Sequence, residues 1–433
     1  MSKVAFITLG CKVNQYETNA MSQEFIEKGY EVVEHHEKAD IYVINTCTVT
    51  NMSDRKSRQM LRRVKELNPN SIVIACGCYV QVAKDEVAKI EDIDLILGNN
   101  EKKNIVEHLE QYQKDKKRQL EIEDLMQQRE FIEFGDVTYT EKTRAVVKIQ
   151  DGCDRFCSYC IIPYARGRVR SRKPEGIISE ITKIAQEGIK EVVITGIHVA
   201  SYGKDFKENY GLIDLLEDLN KIEGIERIRL SSIEPLILDE QFINRLSKLE
   251  KICHNFHLSL QSGCDETLKR MNRRYNTEQF KTVVNLIRNT YKDAILTADV
   301  IVGFPGETEE EFEKTYKFLE DVKFYKTHVF KYSPRKGTKA AVMENQIDGN
   351  IKEQRSKKLI ELSNNFEKEY NESYIGKTVE VLWEEEKEKI YKGHTQNYLL
   401  AYYKPEKGDM NLENKITKAN CISAESDHII VEI

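Results

Sequence analysis

Three cysteines inside one short loop are the first residues of this 433-residue chain whose spacing could do chemistry. Cys153, Cys157 and Cys160 stand in the run Gln150-Asp151-Gly152-Cys153-Asp154-Arg155-Phe156-Cys157-Ser158-Tyr159-Cys160, a C-x3-C-x2-C pattern. Thiolates so spaced wrap three corners of an iron–sulfur cube. Three ligands leave one iron open, and an open metal position is what catalysis needs. The alternative is a zinc knuckle. Structural zinc takes four ligands, and no fourth Cys or His lies nearby in sequence.

A second set is scattered. Cys11, Cys47 and Cys78 each follow a short run that reads as a strand: Val4–Leu9, Ile41–Asn45 and Ser71–Ala75. Ligands bind at the carboxyl ends of strands in open α/β sheets, so the three could converge on another cluster. Lone buried cysteines are also common, and Cys76 competes with Cys78 in Cys76-Gly77-Cys78. Cys253, Cys264 and Cys421 read as structural.

The elements that position these residues are those of an α/β protein. In the first part, strands alternate with helices at Asn14–Lys28 and Ser53–Leu67, and Asp94–Leu97 reads as a fourth strand before a charged helix. Continuous apolar strands between helices imply a parallel sheet covered on both faces. The charged stretch from about 112 to 140 reads as a linker or a solvated helix extension. Alternation resumes with strands at Ala145–Gln150, Glu191–Thr195, Arg227–Ser231, Asn255–Gln261, Ile295–Val302 and His328–Tyr332. Helices such as Pro174–Glu187 and Glu307–Asp321 fall between them. Six βα units predict a partial TIM-like (βα)6 barrel, with chemistry at the strands' carboxyl ends. The Cys153 loop leaves the first of these strands. After an amphipathic helix at Ile351–Tyr370, the runs Thr378–Trp383, Tyr391–Thr395, Leu399–Tyr403 and Ile429–Ile433 predict a small all-β barrel. The expected domains are residues 1–115, 139–370 and 371–433.

A net charge of −6 excludes bulk attraction to nucleic acid, so an RNA partner would need local basic patches. Two runs qualify. Arg55, Arg58, Arg62 and Lys65 share a helix face, which could equally be a plain solvated face. Arg166, Arg168, Arg170 and Arg172 alternate as an extended segment would, just after the cysteine loop. Ten cysteines in a long chain do not make a secreted disulfide scaffold. No apolar run nears the ~20 residues of a membrane helix, and Val4–Leu9 is shorter than the ~7–15 residues of a signal core. The expected location is the cytoplasm.

The Cys153 loop and its barrel resemble the radical S-adenosylmethionine (SAM) superfamily. The words Leu9-Gly10-Cys11-Lys12-Val13-Asn14-Gln15-Tyr16-Glu17-Thr18, Asn45-Thr46-Cys47-Thr48-Val49-Thr50 and Gly77-Cys78-Tyr79 resemble its methylthiotransferase family, whose Gly-Cys-Tyr pattern selects Cys78. His257–Gly263, Met271–Tyr275 and Tyr332–Thr338 are similar to family motifs, and the final β module resembles the TRAM domain. The resemblance implies two [4Fe-4S] clusters and SAM, with Cys153, Cys157, Cys160 and Cys78 at the chemistry. It implies SAM contacts at Tyr159, Gly196 and the Asp299–Gly303 segment. Glu234 and Gln261, at strand ends, would add polar SAM contacts or serve structure alone. The Cys11 word resembles the branch that methylthiolates carbon 2 of threonylcarbamoyladenosine beside the tRNA anticodon. Alternatives are the same chemistry on isopentenyladenosine or a ribosomal-protein aspartate, and a non-catalytic iron–sulfur RNA-binding protein. The expected electron donor is a flavodoxin or ferredoxin, and the expected state is a monomer.

Overall fold

A computed structural model describes residues 1–135, 137, 143–405 and 411–433. Its first sheet has six parallel strands: β1 (Lys3–Thr8), β2 (Glu31–Val33), β3 (Ile41–Thr46), β4 (Ile72–Gly77), β5 (Leu95–Leu97) and β6 (Gln119–Glu121), in the spatial order β2-β1-β3-β4-β5-β6. The central strand β3 is buried along its whole length, as its apolar run predicts. The two edge strands escape sequence reading because they are three residues long and mostly charged or half-exposed. Strand β6 lies in the stretch expected as a linker, so the sheet reaches past residue 115 to Glu121. The limit expected at residue 139 lies outside the described residues.

Helix α1 (Lys12–Glu27) joins two cores. Its Met21 and Phe25 pack with Val4, Ile41 and Val43 of the first sheet. Its Tyr16 and Ala20 pack with Val147, Ile149 and Ile194 of the next domain. Apolar residues on two sides of one helix are what a buried bridging element requires.

The second domain is an open partial barrel. Strands β7 (Arg144–Asp151), β9 (Glu191–Gly196) and β10 (Arg227–Leu230) pair in parallel, and the two-residue β8 (Arg170–Ser171) runs antiparallel on the outer side of β7. Strands β11 (Asn255–Gln261), β12 (Ile295–Val302) and β13 (Lys326–Lys331) form a second parallel group. Parallel bridges at Ile228–Ile252 and Ile233–Leu258 connect the groups. The six expected βα strands are therefore present, with a weak seam between the third and fourth. The long helix Gly349–Glu372 adds Leu359, Leu362 and Phe366 to the barrel core.

The last domain is a closed five-stranded barrel, β14-β15-β16-β18-β17, built from β14 (Thr378–Lys387), β15 (Ile390–Thr395), β16 (Leu400–Tyr403), β17 (Ile416–Ala424) and β18 (Ile429–Glu432). Strand β17 was missing from the sequence reading. It buries small residues, Ala419 and Cys421, between polar ones, so its alternation is faint. Trp383 fills the barrel and donates its indole N–H to Thr417 Oγ1 at 2.8 Å. Tyr391 is buried beside Trp383, while Tyr402 stays partly exposed. Arg144 ties this barrel to the second domain, donating to Glu191 at 2.6 Å and to Glu384 at 2.7 Å. Among the described residues no helix is long and apolar enough to cross a membrane.

Candidate active site with two cysteine triads

Register brings the scattered cysteines together. Thr8 of β1 is paired with Asn45 of β3, and Thr46 of β3 with Gly77 of β4. Cys11, Cys47 and Cys78 therefore leave three adjacent parallel strands at the same edge. Gly10 has φ +103°, and a Cβ there would lie 2.8 Å from Cys47 Sγ. Only glycine lets the two chain segments approach so closely. Burial and mutual charge push the Cys11 and Cys47 thiols up; Arg166 opposes this at Cys11. Cys76 lies inside β4, fully buried against Val4 and Phe25, with its thiol pushed up to about 11 by burial. Cys78, not Cys76, is the one that stands with Cys11 and Cys47.

The other triad occupies the loop after β7. Gly152 has φ +70°, and a Cβ there would lie 1.8 Å from the Arg168 carbonyl oxygen. The Cys153 N–H donates to the Gly167 carbonyl at 3.0 Å, which closes the loop on itself. Burial, then the neighbouring Cys157 charge, pushes the Cys160 thiol up to about 12; burial takes Cys153 to about 11. Thiols crowded this way become thiolates beside a cationic metal centre. All ten cysteines are free of disulfides.

The donor sets suit a cluster better than a lone ion. Sulfurs around one tetrahedral zinc lie about 3.8 Å apart, given Zn–S near 2.3 Å. Among the described residues, the trio of ligand atoms gathered within 4.8 Å is Glu34, His35 and His36, and neither cysteine triad is that tight.

One cavity of about 710 Å³ takes in the whole Cys153 triad, from the second domain, and, of the other triad, Cys11 from the first. Sulfur-directed donors surround the triads. Arg166 Nε lies 3.1 Å from Cys78 Sγ, Arg273 Nη1 lies 3.4 Å from Cys157 Sγ, and the Arg155 N–H lies 3.5 Å from Cys153 Sγ. Lys12, exposed to solvent, lies on the wall of the same cavity, where desolvation by its neighbours, then the charges of Arg144 and Arg229, push it down against the pull of Glu191.

The residues expected at SAM divide into three groups. Tyr159 and Gly196 line the cavity. Glu234 and Asp299 stand one layer back. Glu234 grips Arg155 and accepts from His198 Nε2 at 2.9 Å; Asp299 lies 3.1 Å from His257 Nε2. Burial would raise the Glu234 carboxyl, but His198, Arg155 and Arg273 hold it down at about 2. Gln261 and Gly303 are not among the lining residues. Gly303 instead faces the Lys352 side chain, 2.3 Å from where a Cβ would stand. The residues that sequence reasoning missed are Arg155, His198 and His257, which line the wall in front of those carboxylates. The signal was the carboxylates themselves, since a buried acid needs a partner.

The arginine run departs from its expectation. Arg166, Arg170 and Arg172 are buried and turned inward. Arg166 binds Glu17, Arg172 binds Glu180 and Glu133, and Arg170 lies 3.6 Å from Asp151. Burying a charge is tolerable only when it is paired, and these three are already committed. Arg168 has a partly exposed side chain that donates to Asp154 Oδ1 at 3.2 Å and lies 4.9 Å over the Phe156 ring. On α2 (Asn51–Leu67), Arg55 and Arg62 are exposed, while Lys65 donates to the Ser71 carbonyl at 2.5 Å and Arg58 to Tyr79 Oη at 3.1 Å.

Comparison with known proteins agrees with this geometry. Residues 147–319 match the Radical SAM superfamily, and residues 3–98 match a family described as Uncharacterized protein family UPF0004. The threonylcarbamoyladenosine tRNA methylthiotransferase MtaB of Bacillus subtilis (strain 168) is 42% identical over 430 residues, 98% of this chain and 94% of that one. The protein of the same name from Aquifex aeolicus (strain VF5) is 43% identical over 397 residues, 92% of this chain and 95% of that one. A tRNA-2-methylthio-N(6)-dimethylallyladenosine synthase of Clostridium botulinum is 36% identical over 433 residues, covering 98% and 96%. Among solved structures, the radical SAM methyltransferase TsrM from Kitasatospora setae, with cobalamin and a [4Fe-4S] cluster bound, superposes with a TM-score of 0.56 at 15% identity, over 79% of this chain and 77% of that one. That last likeness is one of fold.

Proposed function

Because the chain belongs to the methylthiotransferase family of radical SAM enzymes, we propose that it adds a methylthio group to carbon 2 of N6-threonylcarbamoyladenosine at tRNA position 37. The observation that carries the reading is one cavity walled by Cys153, Cys157 and Cys160 and also by Cys11, the member of the other triad that reaches it. A reaction that joins sulfur to an unreactive aromatic carbon needs a sulfur holder and a radical source within reach of one base. The choice of substrate is supported by relatives at 42% and 43% identity that are named for threonylcarbamoyladenosine, against 36% for those named for dimethylallyladenosine.

In this reading Cys153, Cys157 and Cys160 hold one [4Fe-4S] cluster, and Cys11, Cys47 and Cys78 hold the other. With SAM bound, the two centres would supply the radical chemistry for breaking an aromatic C–H bond and the sulfur that replaces the hydrogen. The chain's own residues do the rest. Arg273 and Arg166 donate to ligand sulfurs, which orients them and tunes the centres they hold. Tyr159 and Gly196 form wall against which SAM would lie, while His198 and Arg155 are fixed by Glu234.

The target base must be splayed out of the anticodon loop to enter, as single-stranded loops allow. Arg55 and Arg62 on α2 and Arg168 at the loop would hold phosphates, since the chain's net charge of −6 offers no general attraction. The closed C-terminal barrel would act as a TRAM-type RNA-binding module. Low-potential electrons would come from a flavodoxin or ferredoxin, and the protein would work as a cytoplasmic monomer. The test is nucleoside mass spectrometry of tRNA from a strain lacking the gene. Loss of 2-methylthio-threonylcarbamoyladenosine, restored by this chain but not by its Cys78→Ala form, is expected. Persistence of that nucleoside in the deletion strain would refute the reading.

A further inference from the structure

Five lysine and arginine side chains line the shared cavity: Lys12, Arg155, Arg229, Arg273 and Lys326. Four of them are committed. Arg155 grips Glu234, Arg229 donates to Glu191 at 2.8 Å, Arg273 donates to the Ser259 carbonyl at 3.1 Å, and Lys326 donates to Glu367 at 2.7 Å. Among the described residues, Lys12 alone of the five has no hydrogen bond or ion pair. Its surroundings add to the imbalance. Arg144 and Arg229 stand close enough to repel it, and both already share Glu191. An ammonium without a hydrogen-bond or ion-pair partner, exposed on the wall of a cavity and facing two cations against one carboxylate, is open to an anion.

The position of Lys12 narrows the choice of anion. It follows Cys11 directly, so it stands beside the triad assigned to sulfur donation. In adenine, carbon 2 and the N6 nitrogen lie on the same edge of the ring, separated by N1. A base that offers carbon 2 to that triad also offers its N6 substituent to the same part of the cavity. The threonylcarbamoyl group ends in a carboxylate. The dimethylallyl group named for the Clostridium botulinum relative carries no charge and would leave Lys12 unanswered.

We propose that Lys12 is a specificity-determining residue that pairs with the carboxylate of the threonylcarbamoyl group. This rests on the substrate reading above and adds the residue that selects the substrate. A site built around a charged partner rejects an analogue lacking that partner more strongly than an apolar pocket rejects a change of size.

The test measures binding as well as turnover. Anaerobic fluorescence anisotropy on the reconstituted enzyme would compare two anticodon stem-loops of one sequence. One carries threonylcarbamoyladenosine; the other carries its threonine-amide counterpart. Wild type is expected to prefer the carboxylate form by about tenfold or more. Lys12→Gln should bind both loops alike, at the level wild type shows for the amide. Lys12→Arg, which keeps the charge, should retain a preference and shows that the site still folds. Equal weakening of both loops by Lys12→Gln would overturn the proposal in favour of a phosphate contact. An unchanged preference would overturn it outright, as would loss of SAM binding with the preference intact. Methylthiolation assays on the same loops separate the two levels. Wild type that modifies only a dimethylallyl loop would defeat the substrate reading. Wild type that modifies the threonylcarbamoyl loop, with the preference surviving in Lys12→Gln, would defeat only the role of Lys12.

Discussion

Arg166 Nε stands 3.1 Å from Cys78 Sγ, and the two residues belong to different domains. The same guanidinium grips Glu17 and donates to Asn14 Oδ1 at 2.6 Å, both on α1, the helix that Cys11 caps. One buried side chain thus sets the position of two sulfur-bearing segments. A hydrogen bond to a ligand sulfur and a nearby positive charge both favour the more reduced, more negative state of an iron–sulfur centre. Arg166→Gln is expected to lower the potential of the Cys11/Cys47/Cys78 cluster by roughly 50 mV, the one-electron equivalent of about 1 kcal/mol. The measurement is a redox titration followed by electron paramagnetic resonance, in a Cys153→Ala/Cys157→Ala/Cys160→Ala background that leaves one cluster. An unchanged potential would remove Arg166 from any tuning role.

The same network holds the domain interface. Glu17 is 1% exposed and faces Arg166, Lys102 and Lys148, with Lys102 Nζ at 2.5 Å and Lys148 Nζ at 2.7 Å. Burial would raise its carboxyl, but those three cations hold it well below the usual carboxylate range. Glu17→Gln leaves buried cations uncompensated and should cost about 3–5 kcal/mol. Urea unfolding of the wild type and variant measures this. A loss under about 1 kcal/mol would show that water or a rearranged Asp151 replaces the carboxylate.

The Cys153 loop depends on glycine at position 152. Gly152→Ala would drive a methyl group into the Arg168 carbonyl at a φ that alanine avoids. Expected is a folded protein that reconstitutes with half the iron of wild type. Gly188→Ala, also at positive φ but with nothing within 4 Å, is the control and should keep its full iron content. Normal iron in Gly152→Ala would mean that the loop can move without losing its ligands.

Acid should loosen the Glu191 network that holds Arg144 in place beside the third domain. Burial opposes ionisation of Glu191, yet Arg229 and Arg144 hold its carboxyl far below the ordinary range. Its folded value therefore lies below its unfolded value of about 4.3. The stabilisation is fully present above that unfolded value and is lost as pH falls toward the folded one. The difference in urea midpoint between wild type and Glu191→Gln should be constant above about pH 5.5 and shrink below about pH 4. A difference independent of pH down to 3 would contradict the assignment.

Much of this was legible in the sequence, for identifiable reasons. The apolar runs of β1, β3 and β4 were long enough to be read, and strand order then aligned their trailing cysteines. The C-x3-C-x2-C loop announced itself by spacing alone. What stayed hidden depends on long-range pairing. Arg166, Arg170 and Arg172 looked like an exposed basic row because nothing local shows that Glu17 and Glu180 come to meet them. The burial of Tyr391 is invisible locally because the barrel that buries it closes through β17, whose alternation is weak. Lys12 was visible only as one letter in a motif; its unpaired state appears once the partners of its four cationic neighbours are known.

The most direct measurement is a competition. Purified enzyme, reconstituted anaerobically and supplied with SAM, sulfide and dithionite, would meet equal amounts of threonylcarbamoyladenosine and dimethylallyladenosine stem-loops, with products resolved by mass spectrometry. The account predicts 2-methylthio-threonylcarbamoyladenosine as the dominant product, and none from the Cys78→Ala enzyme. Methylthiolation of the dimethylallyladenosine loop alone, or an undiminished yield from Cys78→Ala, would contradict it.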